Sequence, residues 1–232
     1  VYGEISDAAV VRGEFRYAYR DRPMGIGEDQ PLDFHSPYGC SKGCADQYVR
    51  DYARIYGLQT VVFRQSCIYG YHQFGIEDQG WVAWFTIAAQ LGRPITLYGD
   101  GRQVRDVLFI DDLIAAYDLA WARIDEVSGR VYNIGGGPGN AISLLELLDH
   151  LGQSLGERIP VEFADWRPGD QAVYISDIRR AAEDFGWRPT TPWSAGVDRL
   201  FDWVDRNHEL IGGILFSAPR PVALEPVASS AG

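Results

Sequence analysis

Tyr38 and Lys42 stand four residues apart in Ser36-Pro37-Tyr38-Gly39-Cys40-Ser41-Lys42, and Lys42 is the only lysine in the 232-residue chain, against a crowd of arginines. A lysine that survives where arginine serves elsewhere marks a place where a compact ammonium does something a planar guanidinium does not. Ser36 and Pro37 have the residue types of a helix N-cap and first position. They predict a helix from Pro37 through about Tyr56, ending near Gly57. On that helix Tyr38 and Lys42 share one face, about one turn apart. A free tyrosine, with a pKa of about 10, is a poor base at neutral pH. A nearby ammonium favours the phenolate, and a tyrosine so tuned can take a proton from an alcohol while a hydride leaves the same carbon. The plain alternative is an ordinary helix tyrosine beside a solvated charge, and with thirteen tyrosines in the chain it stays open.

The segments around this pair read as helix-then-strand repeats. Thr60-Val61-Val62-Phe63-Arg64 is a β-branched run expected to be a buried strand. Ser66-Cys67-Ile68-Tyr69-Gly70 follows at its carboxyl end, where open α/β sheets place ligands. A helix is expected over Trp81–Leu91, strands over Ile95–Tyr98, Val104–Ile110, Val131–Ile134 and Pro160–Phe163, and helices over Ile178–Phe185 and Trp193–Asn207. Asp111 or Asp112 is expected to cap a helix reaching about Ile124, and Ser143 to cap another. Residues 4–35 read as a long irregular loop covering a substrate, and 212–232 as a disordered tail.

Composition narrows the function. Apolar content of 46% supports a real core, and a formal net charge of −11 disfavours nucleic acid or an anionic membrane as a partner. No run of apolar residues is long enough for a membrane span, and three cysteines without scaffold spacing fit a reducing cytoplasm. Cys40 and Cys44 share a helix face near His35, but too few ligands gather there for a metal, and none is expected. Gly135-Gly136-Gly137-Pro138-Gly139 invites a pyrophosphate loop. Asn140 leaves G-x-G-x-x-G incomplete, so a tight turn before a helix is the better reading.

Several motifs now stand in one order: Val1-Tyr2-Gly3, Tyr38/Lys42, Phe63-Arg64 with Tyr69-Gly70, Gly99-Asp100-Gly101, Arg105-Asp106, and Asp111-Asp112. Asn133-Ile134-Gly135-Gly136, Arg167-Pro168-Gly169-Asp170 and Gly186-Trp187-Arg188-Pro189 follow. Over about residues 1–208 this resembles the extended short-chain dehydrogenase/reductase family of nucleotide-sugar epimerases and dehydratases. Leu32–Lys42, Asp51–Ile55, Asp78-Gln79-Gly80-Trp81-Val82 and Gly101–Val107 resemble most its branch that inverts C2 of CDP-3,6-dideoxyhexoses, CDP-paratose to CDP-tyvelose.

The resemblance implies an α/β fold: the C-terminal part of a Rossmann-type doubly wound parallel sheet plus a smaller α/β substrate-binding domain. Residues 1–70, completed near 104–124, would belong to the cofactor part, and 71–103 with 125–208 mainly to the substrate part. It implies NAD as cofactor, Tyr38 as base, and Lys42 as the group that lowers its pKa and binds the nicotinamide ribose. Ser66 and Cys67 would line the nicotinamide and sugar. Gln79, Gly80 and Trp81 would border the nucleotide, Arg105 would pair with the diphosphate, and Arg167 and Asp170 would meet the nucleotide end of a nucleotide-diphosphate sugar, CDP favoured. Arg105 and Arg167 as paired interdomain arginines, Trp81 as core, and Arg64 as structural remain the plain readings. A cytoplasmic homo-oligomer, dimer or tetramer, is implied, with helices near 37–56 and 81–91 at the interface.

Departures accompany the resemblance. The family's catalytic Ser/Thr and glycine-rich phosphate loop would precede Val1, which suggests an N-terminally truncated chain that does not itself bind NAD normally. Cys67 replaces a commoner Ser and His72 a commoner Arg. A 4-epimerase, a 4,6-dehydratase or a non-catalytic fragment are the alternatives.

Overall fold

A computed structural model describes residues 1–3, 5, 8–167 and 169–216. Helix α1 spans Pro37–Tyr56 with the predicted limits. The Ser36 hydroxyl accepts from the Gly39 N–H at 3.0 Å, Pro37 occupies the first turn, and Gly57 closes the helix in the left-handed conformation. After it, β3 (Val62–Gln65) pairs in parallel with β7 (Val131–Ile134), Val62 opposite Val131.

The chain breaks step at Ser66 and enters β4 (Cys67–Tyr69), which pairs in parallel with a different strand, β6 (Val104–Phe109). β6 also pairs in parallel with β10 (Val173–Tyr174) and antiparallel with β8 (Ala141–Ser143). Ser66 joins the two ladders: its N–H donates to the Ile134 carbonyl at 3.0 Å and its hydroxyl reaches Asp106 of β6. A third parallel pair, β5 (Ile95–Tyr98) with β9 (Val161–Ala164), completes the outer part.

Two apolar cores flank these ladders. One holds α2 (Trp81–Gln90), α5 (Leu144–Leu155) and α7 (Trp193–Arg206) against β5 and β6, centred on Phe85, Ile87, Leu97, Leu147 and Leu200. α5 starts in the predicted place, with a reciprocal capping box between Ser143 and Glu146. The other core lies under α3 (Ile110–Ala122) and α6 (Arg179–Phe185) and is centred on Leu108, Tyr132, Ile134, Phe185 and Trp187. β7 and α6, assigned from sequence to the substrate part, therefore pack with β3.

Three expectations need correction. The loop over 4–35 carries a hairpin, β1 (Val10–Arg12) with β2 (Tyr17–Tyr19). The Tyr17 hydroxyl on Asp100 and Arg16 on Glu146 latch it to the body, contacts too distant in sequence for local signals to announce. Neither Asp111 nor Asp112 caps α3; Phe109 is its N-cap, and both acids lie in the first turn. Asp112 is instead turned into the protein, accepting from the Thr190 N–H and hydroxyl and the Thr191 N–H at 2.7–3.0 Å. α2, which the resemblance places at a subunit interface and periodicity alone could equally place in the core, has Ala83, Ile87 and Ala88 fully buried. The chain after α7 and the short α4 (Ile124–Val127) also differs from expectation: α8 (His208–Phe216) continues past 212 because Ile211, Leu215 and Phe216 pack on the first core. The rest of the proposed tail, 217–232, and Pro168 of the Arg167–Asp170 motif lie outside the described residues.

Candidate functional site

One cavity of about 1320 Å³ opens between α1, the Ser66 step, the start of α2 and β10. Tyr38 and Lys42 line it from α1, Ser66 and Cys67 from the step, Gln79, Gly80 and Trp81 from the start of α2, and Arg105 and Asp170 from the β6/β10 side. Nine of the ten residues singled out from sequence thus share one wall system. Arg167 does not line it. It is held outside, its guanidinium 3.8 Å from the Tyr98 ring centroid and 3.0 Å from an Asp78 carboxylate oxygen.

The Lys42 ammonium sits 5.4 Å from the centre of the Tyr38 ring, the contact expected of two residues four apart on a helix. Tyr38 is 71% exposed, so its hydroxyl is open to a ligand. Among the described residues no carboxylate lies within ion-pair distance of Lys42. Phe34 lies directly over Gly43 of α1, where a Cβ would fall 2.0 Å from the Phe34 ring, so only glycine lets this helix seat so closely.

Below the step, the Ser66 hydroxyl lies 2.5 Å from Asp106 Oδ1, and the Gly137 N–H donates to Oδ2 at 3.1 Å. Asp106 is fully buried, and burial raises its pKa from the ordinary carboxylate value, against the pull of those hydrogen bonds. Burial likewise pushes the Cys67 thiol up; the Trp81 indole N–H, 3.5 Å from Sγ, works the other way. Cys67 is thereby a neutral apolar lining group. Arg105 donates to Asp170 at 2.8 Å and to the Gln171 carbonyl at 2.7 Å, so its fork is committed to the β10 side.

The glycine turn after β7 is no open cradle. A Cβ on Gly135 would fall 2.3 Å from Asp106 Oδ2, and one on Gly136 2.2 Å from the Val107 carbonyl oxygen. Protein atoms fill the space a phosphate would need.

Four further wall residues were not named as site residues from sequence, Arg64 having been read as structural and Tyr2 only as part of a motif. Tyr2, Asp46, Arg64 and Tyr174 also line the cavity. Arg64 pairs with Asp46 through Nε–Oδ2 at 2.7 Å and Nη2–Oδ1 at 3.2 Å, and its Nη1 donates to the Tyr2 hydroxyl at 3.1 Å. The Tyr2 hydroxyl donates to Asn133 of β7 at 2.6 Å. Asp46 falls at the position after Lys42 in the same four-residue spacing, a signal the helix period already contained. The Arg64 and Tyr2 partners could not be read without the tertiary fold.

Residues 18–135 match the NAD dependent epimerase/dehydratase family. The chain is 43% identical over 208 residues to a CDP-paratose 2-epimerase of Salmonella typhi, covering 88% of this chain and 62% of that protein. It is 32% identical over 188 residues to a dTDP-glucose 4,6-dehydratase of Neisseria gonorrhoeae, covering 76% and 52%. Among solved structures it is similar to the Thermotoga maritima UDP-glucose 4-epimerase with UDP-glucose (TM-score 0.72, 28% identity, 80% of this chain and 58% of that one). It is also similar to the Bacillus anthracis dTDP-glucose 4,6-dehydratase in complex with NAD (TM-score 0.71, 27% identity, 90% and 60%). These relatives share a Rossmann-type α/β fold, and this chain spans 52–62% of the length of the two sequences and 58–60% of the two structures. With its Tyr-x-x-x-Lys helix set against parallel strands, the chain belongs to the NAD dependent epimerase/dehydratase family.

Proposed function

We propose that this chain carries the catalytic and substrate-binding part of an NAD-dependent sugar-nucleotide epimerase that inverts C2 of a CDP-3,6-dideoxyhexose, CDP-paratose to CDP-tyvelose. The observation that carries the reading is the Tyr38/Lys42 pair standing open on a wall of a cavity of about 1320 Å³. That volume exceeds the roughly 300–1,000 Å³ of a pocket for one drug-sized ligand, leaving room for a cofactor end beside a sugar nucleotide. The 43% identity to a C2 epimerase favours that branch over 4-epimerases and dehydratases.

Bound NAD would accept the hydride from the sugar carbon and return it. Tyr38, Lys42, Ser66 and Cys67 fit its nicotinamide-ribose end: an ammonium, two hydroxyls and a neutral thiol. The packed Gly135–Gly137 turn does not fit its pyrophosphate. Tyr38 takes the proton of the sugar hydroxyl as the hydride departs, and gives it back after the planar 2-keto sugar has presented its other face. Lys42 steadies the phenolate by its positive charge. Arg105 offers its fork to the diphosphate when it leaves Asp170, an exchange of one anion for another. Gly80, the N-cap of α2, lines the same cavity and supplies no side-chain cap to the first N–H groups of that helix.

The test uses the full-length protein that carries this chain, with NAD and CDP-paratose, followed by NMR of the C2 proton. Formation of CDP-tyvelose is expected, and Tyr38→Phe should lower turnover by roughly 10²–10⁴-fold with nucleotide binding kept. Near-normal turnover in that variant removes Tyr38 as base. Product from dTDP- or UDP-glucose but not from CDP-paratose moves the reading to a 4-epimerase or dehydratase.

A further inference from the structure

On α1, Lys42 and Asp46 are four residues apart, the spacing at which a lysine and an aspartate ordinarily meet on a helix surface. Here they do not. Asp46 turns inward, with both carboxylate oxygens on the Arg64 guanidinium and Oδ1 also accepting from Gln47 at 2.8 Å. The Arg64 and Asp46 side chains are 6% and 3% exposed. The third nitrogen of Arg64 donates to the Tyr2 hydroxyl at 3.1 Å and the Glu28 carbonyl at 3.3 Å, so no face of the fork is idle. The Lys42 ammonium leans the other way, over Tyr38.

We infer that Arg64 is a positioning residue for the Tyr38/Lys42 pair: by holding Asp46 it keeps that carboxylate off Lys42 and leaves the ammonium to Tyr38 and ligand. The inference rests on the proposed role of that pair. It also explains why a buried ion pair is kept at all. Such a pair is a poor device for stability, because desolvating two charges costs about what their attraction returns, and apolar residues of similar volume would serve as well. What the pair does, and apolar residues would not, is cancel the charge of an aspartate one turn from the single lysine.

The charged and titratable groups around Lys42 come from each neighbouring segment. They are Tyr38 and Asp46 of α1, Arg64 of β3, Tyr2, Glu28, and the Asp33–His35 pair just before the helix.

Because Lys42 is the only lysine in these 232 residues, acylation of the full-length protein read on the peptide that contains it by mass spectrometry reports on that one side chain, with Nα-acetyl-lysine in the same tube as reference. In Arg64→Gln the released carboxylate should pair with Lys42, hold it protonated and slow its acylation roughly three- to tenfold. The double variant Asp46→Asn/Arg64→Gln should stay within roughly threefold of wild type, since it removes two charges that already cancel at Lys42. An ion pair with only a structural role predicts the opposite sign: a loosened α1 lets Lys42 react as fast as before or faster.

Unchanged or faster labelling in Arg64→Gln overturns the inference. So does a double variant faster than wild type by more than roughly threefold, which would mean that Asp46 already acts on Lys42. Should Arg64→Gln fail to fold, the double variant, free of any unpaired buried charge, decides alone. Labelling needs neither cofactor nor turnover, so its failure is separate from that of the epimerase reading, which Tyr38→Phe turnover tests.

Discussion

Gly135→Ala tests whether the glycine turn after β7 is packed structure or an open anion cradle. Gly135 does not have a positive φ, so the substitution carries no conformational penalty and its cost is purely one of space. The new Cβ would lie 2.3 Å from Asp106 Oδ2, 2.7 Å from Ser176 Oγ and 2.9 Å from Ser66 Cβ. Asp106 lies in β6, Ser176 is buried and Ser66 is the half-buried step between β3 and β4, and none of the three is the far end of a long flexible side chain. Relief requires moving the Asp106 carboxylate, which gives up the Ser66 and Gly137 hydrogen bonds. Overpacking alone costs about 1–3 kcal/mol, and loosening two hydrogen bonds to a buried carboxyl adds about 1–3 more. We therefore expect a loss of about 3–4 kcal/mol, equivalent to roughly 6–16 °C in Tm for a chain of this size. Gly139→Ala in the same turn is the control: no atom lies within 4 Å of its Cβ, and its φ is also not positive. It should be neutral or stabilise by about 0.4–1 kcal/mol through the unfolded state. Urea unfolding followed by tryptophan fluorescence reads both, with the slope m expected to hold while the midpoint moves. A Gly135→Ala protein within about 0.5 kcal/mol of wild type would show that the turn has room after all, enough to serve as an anion cradle.

Three further outcomes follow from the same packing. Asp112→Ala strands the Thr190 N–H, the Thr190 hydroxyl and the Thr191 N–H beside a cavity, and should cost about 3–5 kcal/mol in urea unfolding; a loss under about 1 kcal/mol would mean that these donors find other acceptors. Ser143→Ala removes half of the α5 capping box and should cost about 1 kcal/mol, while Ser143→Gly costs less; equal losses would argue that packing, not capping, matters there. Asp106 has a folded-state pKa raised by burial, so its contribution to stability is fully present below the unfolded carboxylate value of about 3.9 and is lost as pH rises through the raised one. Asp106→Asn should therefore flatten the stability curve over that window, with wild type falling relative to the variant as pH increases; a parallel pair of curves would mean that Asp106 titrates normally.

What could be read from sequence, and what could not, divides by distance along the chain. The limits of α1 were legible because Ser36, Pro37 and Gly57 act on their own neighbours' backbone groups. The capping box of α5 was legible in part for the same reason. Periodicity also placed β3, β5, β7 and α7 within a residue or two. Asp111-Asp112 misled because acids at a helix start have two uses, capping the backbone or holding a distant segment, and only the position of Thr190 and Thr191 decides between them. α2 was left undecided because an apolar helix looks the same whether it meets a partner subunit or the interior. The tail was misjudged where Leu215 and Phe216 find a core that composition does not reveal.

The site follows the same division with one instructive difference. Tyr38 and Lys42 were legible because their relation is local, set by one helix turn. Arg105 and Asp170 were each read from the resemblance as groups for a ligand, and in the fold they hold each other at 2.8 Å. Under the proposed function, a diphosphate would have to offer Arg105 more than Asp170 does. A pair 19% and 29% exposed, in partial contact with water, contributes little more than about 1 kcal/mol. A bidentate phosphate contact exceeds that. Under the proposed function the exchange would be downhill for a dianionic diphosphate and near neutral for a single carboxylate, and this weak internal pair would then act as a filter for charge as well as a placeholder.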